Sequence, residues 1–280
     1  HIQGRPLKGI RYRLPVASAQ LKSALFLAGL FATGKTFVTE PSLSRDHTER
    51  MFRGGRRFQG RNFKIPADIS SAAYFIVAGL IQPSLFPPLR VRGGAIGGGD
   101  TNKLVLKNIG INPTRTGLLD VLKKMDGRIA LKNRKNWNGE PVADIEILPS
   151  RLKGTTVRGK LIPRLIDEIP ILAVAAAFAQ GKTTIRDAAE LRVKESDRIA
   201  VLKRELSRLG VRIKERPDGL EIFGGTPLRG ARVKSEGDHR IAMALAIAAL
   251  FAKGKTKIQG TSCIQTSFPT FLPLLRKITS

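Results

Sequence analysis

The sequence has little cysteine and histidine. Its one cysteine is Cys263, and its histidines are His1, His47 and His239. A single cysteine excludes a disulfide within the chain, which fits a reducing compartment. The histidines lie too far apart to match the ligand spacing of common metal sites. We therefore expect no bound metal.

Long apolar runs are also lacking. The longest, Ile169–Ala179 and Ile241–Ala252, are far shorter than the roughly 20 residues that span a bilayer. We therefore expect no membrane-spanning helix. The chain is nevertheless 42% hydrophobic and 25% charged over 280 residues. Such a composition can bury a large core and excludes a wholly disordered protein.

Acidic residues are scarce. The chain has 22 Asp and Glu and 49 Lys and Arg, so its net charge is +27. A positive field attracts phosphorylated small molecules, nucleic acid or acidic membrane surfaces. The segment Arg53–Lys64 is basic and glycine-rich and carries Phe58 and Phe63, and Ser84–Lys103 is rich in Pro and Gly. Both are predicted to be loops or disordered. A nucleic-acid-binding protein is therefore an alternative function, and nonspecific binding at low salt is expected in any case.

Three segments repeat the pattern Phe-Ala-x-Gly-Lys-Thr, namely Phe31–Val38, Phe178–Ile185 and Phe251–Ile258. Each follows an apolar stretch of helical length and leads into β-branched residues, which predicts a buried helix, a glycine stop and a strand. The first copy, with the residues just before it, also matches the phosphate-binding pattern GxxxxGK[ST] over Gly29–Thr36. That loop needs a strand before it and a helix after it, so the reverse order here argues against nucleotide binding.

A second set of shorter or more amphipathic helices alternates with the buried ones. These are predicted at Asp46–Phe52, Thr116–Lys124, Ile199–Leu209 and Phe268–Ile278. Helices that alternate with strands at this spacing predict an α/β fold with mixed sheets, built from four similar units.

Several predicted helices begin with groups suited to anions. Ser18, Ala19 and Gln20 open the first, and free N–H groups at a helix N-terminus attract negative charge. Because Gln is a weak cap, we favour ligand binding by Ser18 and Gln20. Simple capping remains the alternative, and it is the preferred interpretation for Asp68 and Ser70.

The densest group of charges is Glu190–Ile199. If the segment is helical, Lys194 and Arg198 share a face, and two neighbouring cations favour an anion between them. Glu195 is a candidate general acid if burial raises its pKa. Asp167 and Glu168 are candidate bases ahead of an apolar helix, and their spacing alone does not decide the role. Solvated ion pairs and ordinary helix-dipole partners are the alternatives.

Seven segments in order carry a family resemblance. They are Pro15–Ala24, Ser44–Met51, Asn112–Gly117, Leu165–Pro170, Glu190–Ile199, Gly237–Met243 and Thr266–Pro269. Together they closely resemble the C-terminal two-thirds of the EPSP synthase (3-phosphoshikimate 1-carboxyvinyltransferase) family, with the N-terminal third missing.

The resemblance implies an enolpyruvyltransferase-like α/β fold of repeated βαβαββ units, described as an inside-out α/β barrel. Residues 1–66 would be a one-unit remnant of the N-terminal lobe, and residues 67–280 a C-terminal lobe of three units. Because sister units of the N-terminal lobe are missing, the apolar face of Leu21–Phe31 should be exposed.

The resemblance also implies transfer of the enolpyruvyl group of phosphoenolpyruvate to the 5-hydroxyl of shikimate 3-phosphate, with release of phosphate. This is a step of aromatic amino acid biosynthesis that needs no metal or organic cofactor. We expect a cytoplasmic monomer, with a plastid as the alternative compartment. A non-catalytic degenerate fragment is a further alternative, which the two irregular stretches Arg53–Lys64 and Ser84–Lys103 favour.

Site roles follow residue by residue from the same resemblance. Asp167 would be the catalytic base and Glu195 the acid that protonates the methylene carbon. Residues expected to bind shikimate 3-phosphate are Ser18, Ala19, Gln20, Arg45, Asp167 and Lys194. Residues expected to bind phosphoenolpyruvate are Gln20, Arg198 and Arg240.

Overall fold

The computed structural model describes residues 1, 3–52, 62–81 and 103–279. Its helices are α1 Ala19–Leu30, α2 His47–Met51, α3 Ile69–Ile81, α4 Gly117–Lys124, α5 Ile162–Leu165, α6 Ile169–Phe178, α7 Arg198–Arg208, α8 His239–Leu250, α9 Ile264–Ser267 and α10 Phe271–Thr279. Its strands are β1 Arg11–Arg13, β2 Phe37–Thr39, β3 Leu104–Gly110, β4 Arg128–Trp137, β5 Glu140–Leu148, β6 Thr156–Val157, β7 Lys182–Ile185, β8 Arg212–Arg216, β9 Gly219–Phe223, β10 Arg232–Lys234 and β11 Lys257–Gln259.

The strands form four open sheets within these described ranges. Strands β1 and β2 pair in parallel, as do β10 and β11. The order β3-β5-β4 is antiparallel, and β6-β7-β9-β8 is mixed. The predicted α/β class with mixed sheets is confirmed.

The core is centred on α3, α6 and α8, which pack on one another. From Ile169 to Ala177 every residue of α6 is buried, which explains why the helix is apolar on all sides. The Phe178 ring, at the end of α6, meets the Phe251 ring edge to face at 5.7 Å. The two repeats therefore bury equivalent aromatic residues against each other.

Each repeat turns from helix to strand at a glycine with positive φ. Gly34, Gly181 and Gly254 have φ values of 93°, 87° and 90° after α1, α6 and α8. This left-handed conformation strains residues with a Cβ atom and is typical of a helix C-terminus. The order helix, glycine, strand is confirmed, so Gly29–Thr36 lacks the strand, loop and helix of a phosphate-binding loop.

The first repeat is far less buried than its sisters. Helix α1 buries only Lys22, whose ammonium group pairs with Glu40 at 2.9 Å and Glu49 at 2.7 Å. Leu27 and Phe31 are 41% and 75% exposed. The apolar face of Leu21–Phe31 is exposed as expected.

One predicted helix is wrong. The segment Phe268–Ile278 is not continuous, because α9 ends at Ser267 and α10 starts at Phe271. Phe268 has φ −145° and ψ 70°, and a residue before a proline such as Pro269 is disfavoured in the helical region. The other three predicted helices agree to within one residue at each end.

The two segments predicted to be loops fall mostly outside the described residues, since only 62–64 and 103 are described in them. In the part of the chain that the structure describes, every helix is too short or too polar to cross a membrane.

Candidate active site

A single carboxylate, Asp167, lies where three guanidinium groups converge. It occupies a short 3₁₀ turn directly before α6. Arg45 Nη2 lies 2.5 Å from Oδ2, Arg198 Nη1 3.6 Å from Oδ1, and Arg240 Nη2 3.8 Å from Oδ2. The three arginines come from the segment before α2 and from the starts of α7 and α8. The fold thus gathers charges that are far apart in sequence.

These arginines keep Asp167 ionised. Burial acts to raise the pKa of its carboxyl group, but the charge of Arg240 and the hydrogen bond from Arg45 outweigh it. The resulting pKa is about 2, below the ordinary value of 3.8. The carboxylate is therefore charged at neutral pH, and only a charged carboxylate can accept a proton.

Arg198 is fully buried and fixed by two carboxylates. Its Nε donates to Asp238 Oδ2 at 2.8 Å, and its Nη2 donates to Glu195 Oε2 at 2.5 Å. Asp238 also caps α8 by accepting from the backbone N–H of Arg240 at 2.8 Å. Arg198 Nη1 is buried with no hydrogen-bond partner among the described residues. A buried donor without a partner is costly and favours a ligand oxygen at this point.

The structure does not meet the condition under which Lys194 and Arg198 would share a helix face. Helix α7 begins at Arg198, and Lys194 lies before it with an extended backbone at ψ −156°. Its ammonium group instead forms an ion pair with Glu190. The positive charge of Lys194 nevertheless helps to lower the pKa of Asp167.

Glu195 lies at the rim of the site. Its side chain is 49% exposed while bonded to Arg198. The burial that the sequence interpretation invoked for an acid role is therefore not seen. Its carboxylate bonds Arg198, and Arg198 Nη1 lies 3.6 Å from Asp167 Oδ1.

Ser18, Ala19 and Gln20 lie at the start of α1. Ser18 Oγ accepts from Leu21 N at 3.3 Å and donates to Gln20 Oε1 at 3.4 Å, so its hydrogen bonds stay within the first turn. Ser18 acts as a cap, and Gln20 is exposed. Ion pairs bring Arg45, Arg198 and Arg240 to Asp167, and Glu195 joins this cluster through Arg198. The hydrogen bonds given for Ser18 and Gln20 do not reach the cluster.

A second buried cluster lies beside the first, centred on Glu168, the other carboxylate that the sequence offers as a candidate base. Glu168 is 1% exposed at its side chain and accepts a hydrogen bond from Ser70 Oγ, while Arg115 and Arg240 approach its Oε1 at 3.8 and 3.9 Å. Burial raises the pKa of Glu168. Sequence reasoning missed the partners of Glu168, of which Ser70 was expected to be a helix cap and Arg115 was only part of the segment Asn112–Gly117.

The capping expected at α3 is half right. Asp68 Oδ2 accepts from Ser71 N at 2.8 Å and caps the helix. Ser70, however, is buried and donates to Glu168 and accepts from Arg115. Across the described residues, no group of His, Cys, Asp and Glu is arranged to hold a metal ion.

The chain matches known proteins both by family model and by sequence. The model described as EPSP synthase (3-phosphoshikimate 1-carboxyvinyltransferase) matches residues 1–86 and 91–275. The chain is 50% identical to the 3-phosphoshikimate 1-carboxyvinyltransferase of Synechococcus sp. (strain JA-3-3Ab), over 99% of the chain and 63% of that protein. It is 53% identical to the protein of the same name from Desulforudis audaxviator, over 99% of the chain and 64% of that protein. It thus spans less than two thirds of these relatives.

Solved structures give the same result. An EPSP synthase from Acinetobacter baumannii matches with a TM-score of 0.86 and 42% identity, over 98% of this chain and 63% of that one. The enolpyruvyl transferase NikO from Streptomyces tendae matches with a TM-score of 0.71 and 19% identity, over 98% and 65% of the two chains. The second match supports the fold alone.

Proposed function

The chain belongs to the EPSP synthase family, and on that premise we propose that it forms the main part of a carboxyvinyltransferase site. The reaction joins the enolpyruvyl group of phosphoenolpyruvate to the 5-hydroxyl of shikimate 3-phosphate and releases phosphate. Both substrates are anions, and the net charge of +27 would attract them.

The observation that carries this proposal is the convergence of Arg45, Arg198 and Arg240 on the ionised Asp167. Guanidinium groups bind phosphate and carboxylate through paired hydrogen bonds. Arg198 Nη1, which lacks a hydrogen-bond partner among the described residues, offers one such bond to an incoming ligand. The same cluster therefore combines donors for anions with a charged proton acceptor.

Asp167 and Glu195 would each carry out one proton transfer in the addition step. Asp167 accepts the proton of the 5-hydroxyl while that oxygen bonds to C2 of phosphoenolpyruvate, and Glu195 donates a proton to C3. The product of this addition is a tetrahedral intermediate. The Glu195 carboxylate then takes a proton back from C3 as the C2–C3 double bond forms and the bond from C2 to the phosphate oxygen breaks, and the phosphate leaves with the proton that Asp167 held. Atoms and electrons balance without an oxidant or reductant.

We place this site between two lobes, residues 1–66 and 67–280. Ser18, Ala19, Gln20 and Arg45 would contribute the first side of the shikimate 3-phosphate site, and Asp167 and Lys194 the second side. Gln20, Arg198 and Arg240 would hold phosphoenolpyruvate. The ion pair between Arg45 and Asp167 supports a site that includes residues from both parts.

Calorimetric titration with shikimate 3-phosphate at near-physiological salt tests whether the chain binds this substrate. We expect saturable binding that Lys194→Ala weakens by about tenfold to a hundredfold, the range for a lost charged hydrogen bond. Lys214→Ala, which removes an exposed lysine on β8, is the matched control for net charge and should bind as the unaltered chain does. Absence of saturable binding by the folded chain would contradict the proposal.

Phosphate release in the presence of both substrates tests whether the chain catalyses the reaction. Asp167→Asn keeps the shape of the side chain but removes its negative charge, so turnover should fall at least about 100-fold. Binding of shikimate 3-phosphate without phosphate release would instead identify a chain that binds substrate but does not turn it over. This outcome has a physical basis, since the chain spans 63% of its relative from Synechococcus.

A further inference from the structure

Asn112 is buried in the loop that follows β3, with 1% of its surface exposed. Its Oδ1 accepts from Thr114 N at 2.9 Å and from Thr114 Oγ1 at 2.7 Å. Because a backbone N–H can only donate, this contact fixes the orientation of the amide. Nδ2 must therefore point the other way, as a donor.

Two carboxylates receive those donated hydrogen bonds. Asn112 Nδ2 lies 2.7 Å from Asp46 Oδ1 and 3.1 Å from Glu140 Oε2. Asp46 directly precedes α2, and Glu140 begins β5. The amide thus separates two like charges and joins the N-terminal part of the chain to the sheet β3-β5-β4.

Neighbouring contacts complete the attachment of α2. His47 Nδ1 lies 2.8 Å from Glu140 Oε1, and Arg50 bonds both Asp46 at 2.9 Å and the carbonyl of Gly139 at 3.3 Å. Helix α2 has five residues, too few to be stable without such contacts. Its position is therefore set by what it touches.

This attachment bears directly on the candidate site, since Arg45 is the residue next to Asp46 and bonds Asp167 at 2.5 Å. We propose that Asn112 is a positioning residue, which holds α2 against the sheet so that Arg45 reaches Asp167. The role in substrate binding rests on the proposed function, whereas the placement of α2 does not.

The substitution Asn112→Asp tests this placement with little change in size. The new carboxylate keeps an acceptor for Thr114 but loses both donated hydrogen bonds and repels Asp46 and Glu140. Adding Glu140→Gln supplies a donor to the new carboxylate and should restore part of the attachment. Asn136→Asp is the matched control. Asn136 Oδ1 accepts a hydrogen bond from Gly139 N at 2.9 Å, and an aspartate at this position can still accept it.

Spin-label distances give a readout that needs no ligand. In a Cys263→Ser background, labels at Lys35→Cys and Lys214→Cys report the distance between the exposed loop before β2 and strand β8. We expect one narrow distance distribution in that background, a broad or shifted one with Asn112→Asp, and partial recovery with Glu140→Gln added. An unchanged distribution in a folded Asn112→Asp chain would overturn the proposal. If that chain does not fold, Asp46→Ala replaces it, and an unchanged distribution there has the same meaning.

Calorimetry with shikimate 3-phosphate separates this inference from the proposed function. Asn112→Asp should weaken binding at least tenfold, Glu140→Gln should restore part of it, and Asn136→Asp should have no effect. If the unaltered chain shows no binding, the proposed function fails while the distances still decide the role of Asn112. If it binds and Asn112→Asp binds equally well, the role of Asn112 at the site is refuted.

Discussion

Asp167 contributes to stability only while it is charged. Its pKa falls from 3.8 to about 2 on folding, which corresponds to about 2 kcal/mol of stabilisation. Because the pKa in the folded chain is the lower one, this contribution is complete above the unfolded value. It is lost as the pH falls through 3.8 toward 2.

The difference in free energy of unfolding between Asp167→Asn and the unaltered chain should therefore become smaller as the pH falls. The gap in free energy of unfolding, measured by urea at a series of pH values, should shrink by about 2 kcal/mol between about pH 5 and pH 2. Asp120→Asn, on the exposed side of α4, controls for removal of a surface carboxylate and should show a smaller change. A gap that stays constant over this range would contradict the assigned pKa.

Glu205 shows how a buried charge can hold elements together. Its side chain is 0% exposed and accepts from Arg204 at 2.6 Å, Arg208 at 2.9 Å and the backbone N–H of Lys234 at 3.0 Å. Glu205→Ala leaves that N–H and the Arg208 guanidinium without this acceptor, while Arg204 keeps Glu236, so we expect a loss of about 3 kcal/mol in the free energy of unfolding. Glu215→Ala, which removes a half-exposed ion pair with Arg192, should cost less than about 1 kcal/mol. Equal costs in urea unfolding would refute this assignment.

At the scale of elements, close approach of backbones limits the side chains. A Cβ atom at Gly219, the first residue of β9, would lie 1.9 Å from the carbonyl oxygen of Ile185 in β7. The paired strands would have to move apart, so Gly219→Ala should destabilise the chain by about 3 kcal/mol. Gly4→Ala is the control, since nothing lies within 4 Å of its Cβ position. The melting temperatures of the two variants test this, and similar values would argue against the observed register of β7 and β9.

The sequence predicted those elements that local pattern determines. The apolar runs of α6 and α8 and the glycines after them give the helices and their ends, because both depend on neighbouring residues. Lys194 and Arg198 do not share a helix, and nothing in their spacing reveals that α7 starts at Arg198. Glu168 was a candidate base from the sequence, but its buried contact with Ser70 and the role of Asn112 were missed, because these partners lie up to 98 residues away along the chain.

For the whole molecule, burial is distributed unevenly. The helices α3, α6 and α8 share one core, whereas within residues 3–52 Leu14 and Lys22 are the buried side chains. Helix α1 has the composition of a core helix but exposes Leu21 and Leu27, and Phe31 directly after it is exposed as well. The N-terminal part is held by ion pairs such as those of Lys22 and by the contacts of α2, which stabilise less than apolar burial does.

Amide hydrogen exchange should reveal this difference directly. Local opening of α1 exposes little apolar surface, whereas opening of α6 exposes a helix buried along Ile169–Ala177. The amides of α1 should therefore exchange at least about 100-fold faster than those of α6, equivalent to about 2.7 kcal/mol in opening free energy. Both helices are read in the same sample, so α6 serves as the internal reference for exchange through global unfolding. Equal protection of the two helices would mean that α1 opens only with the whole chain, and that its few polar contacts bind it as tightly as the core binds α6.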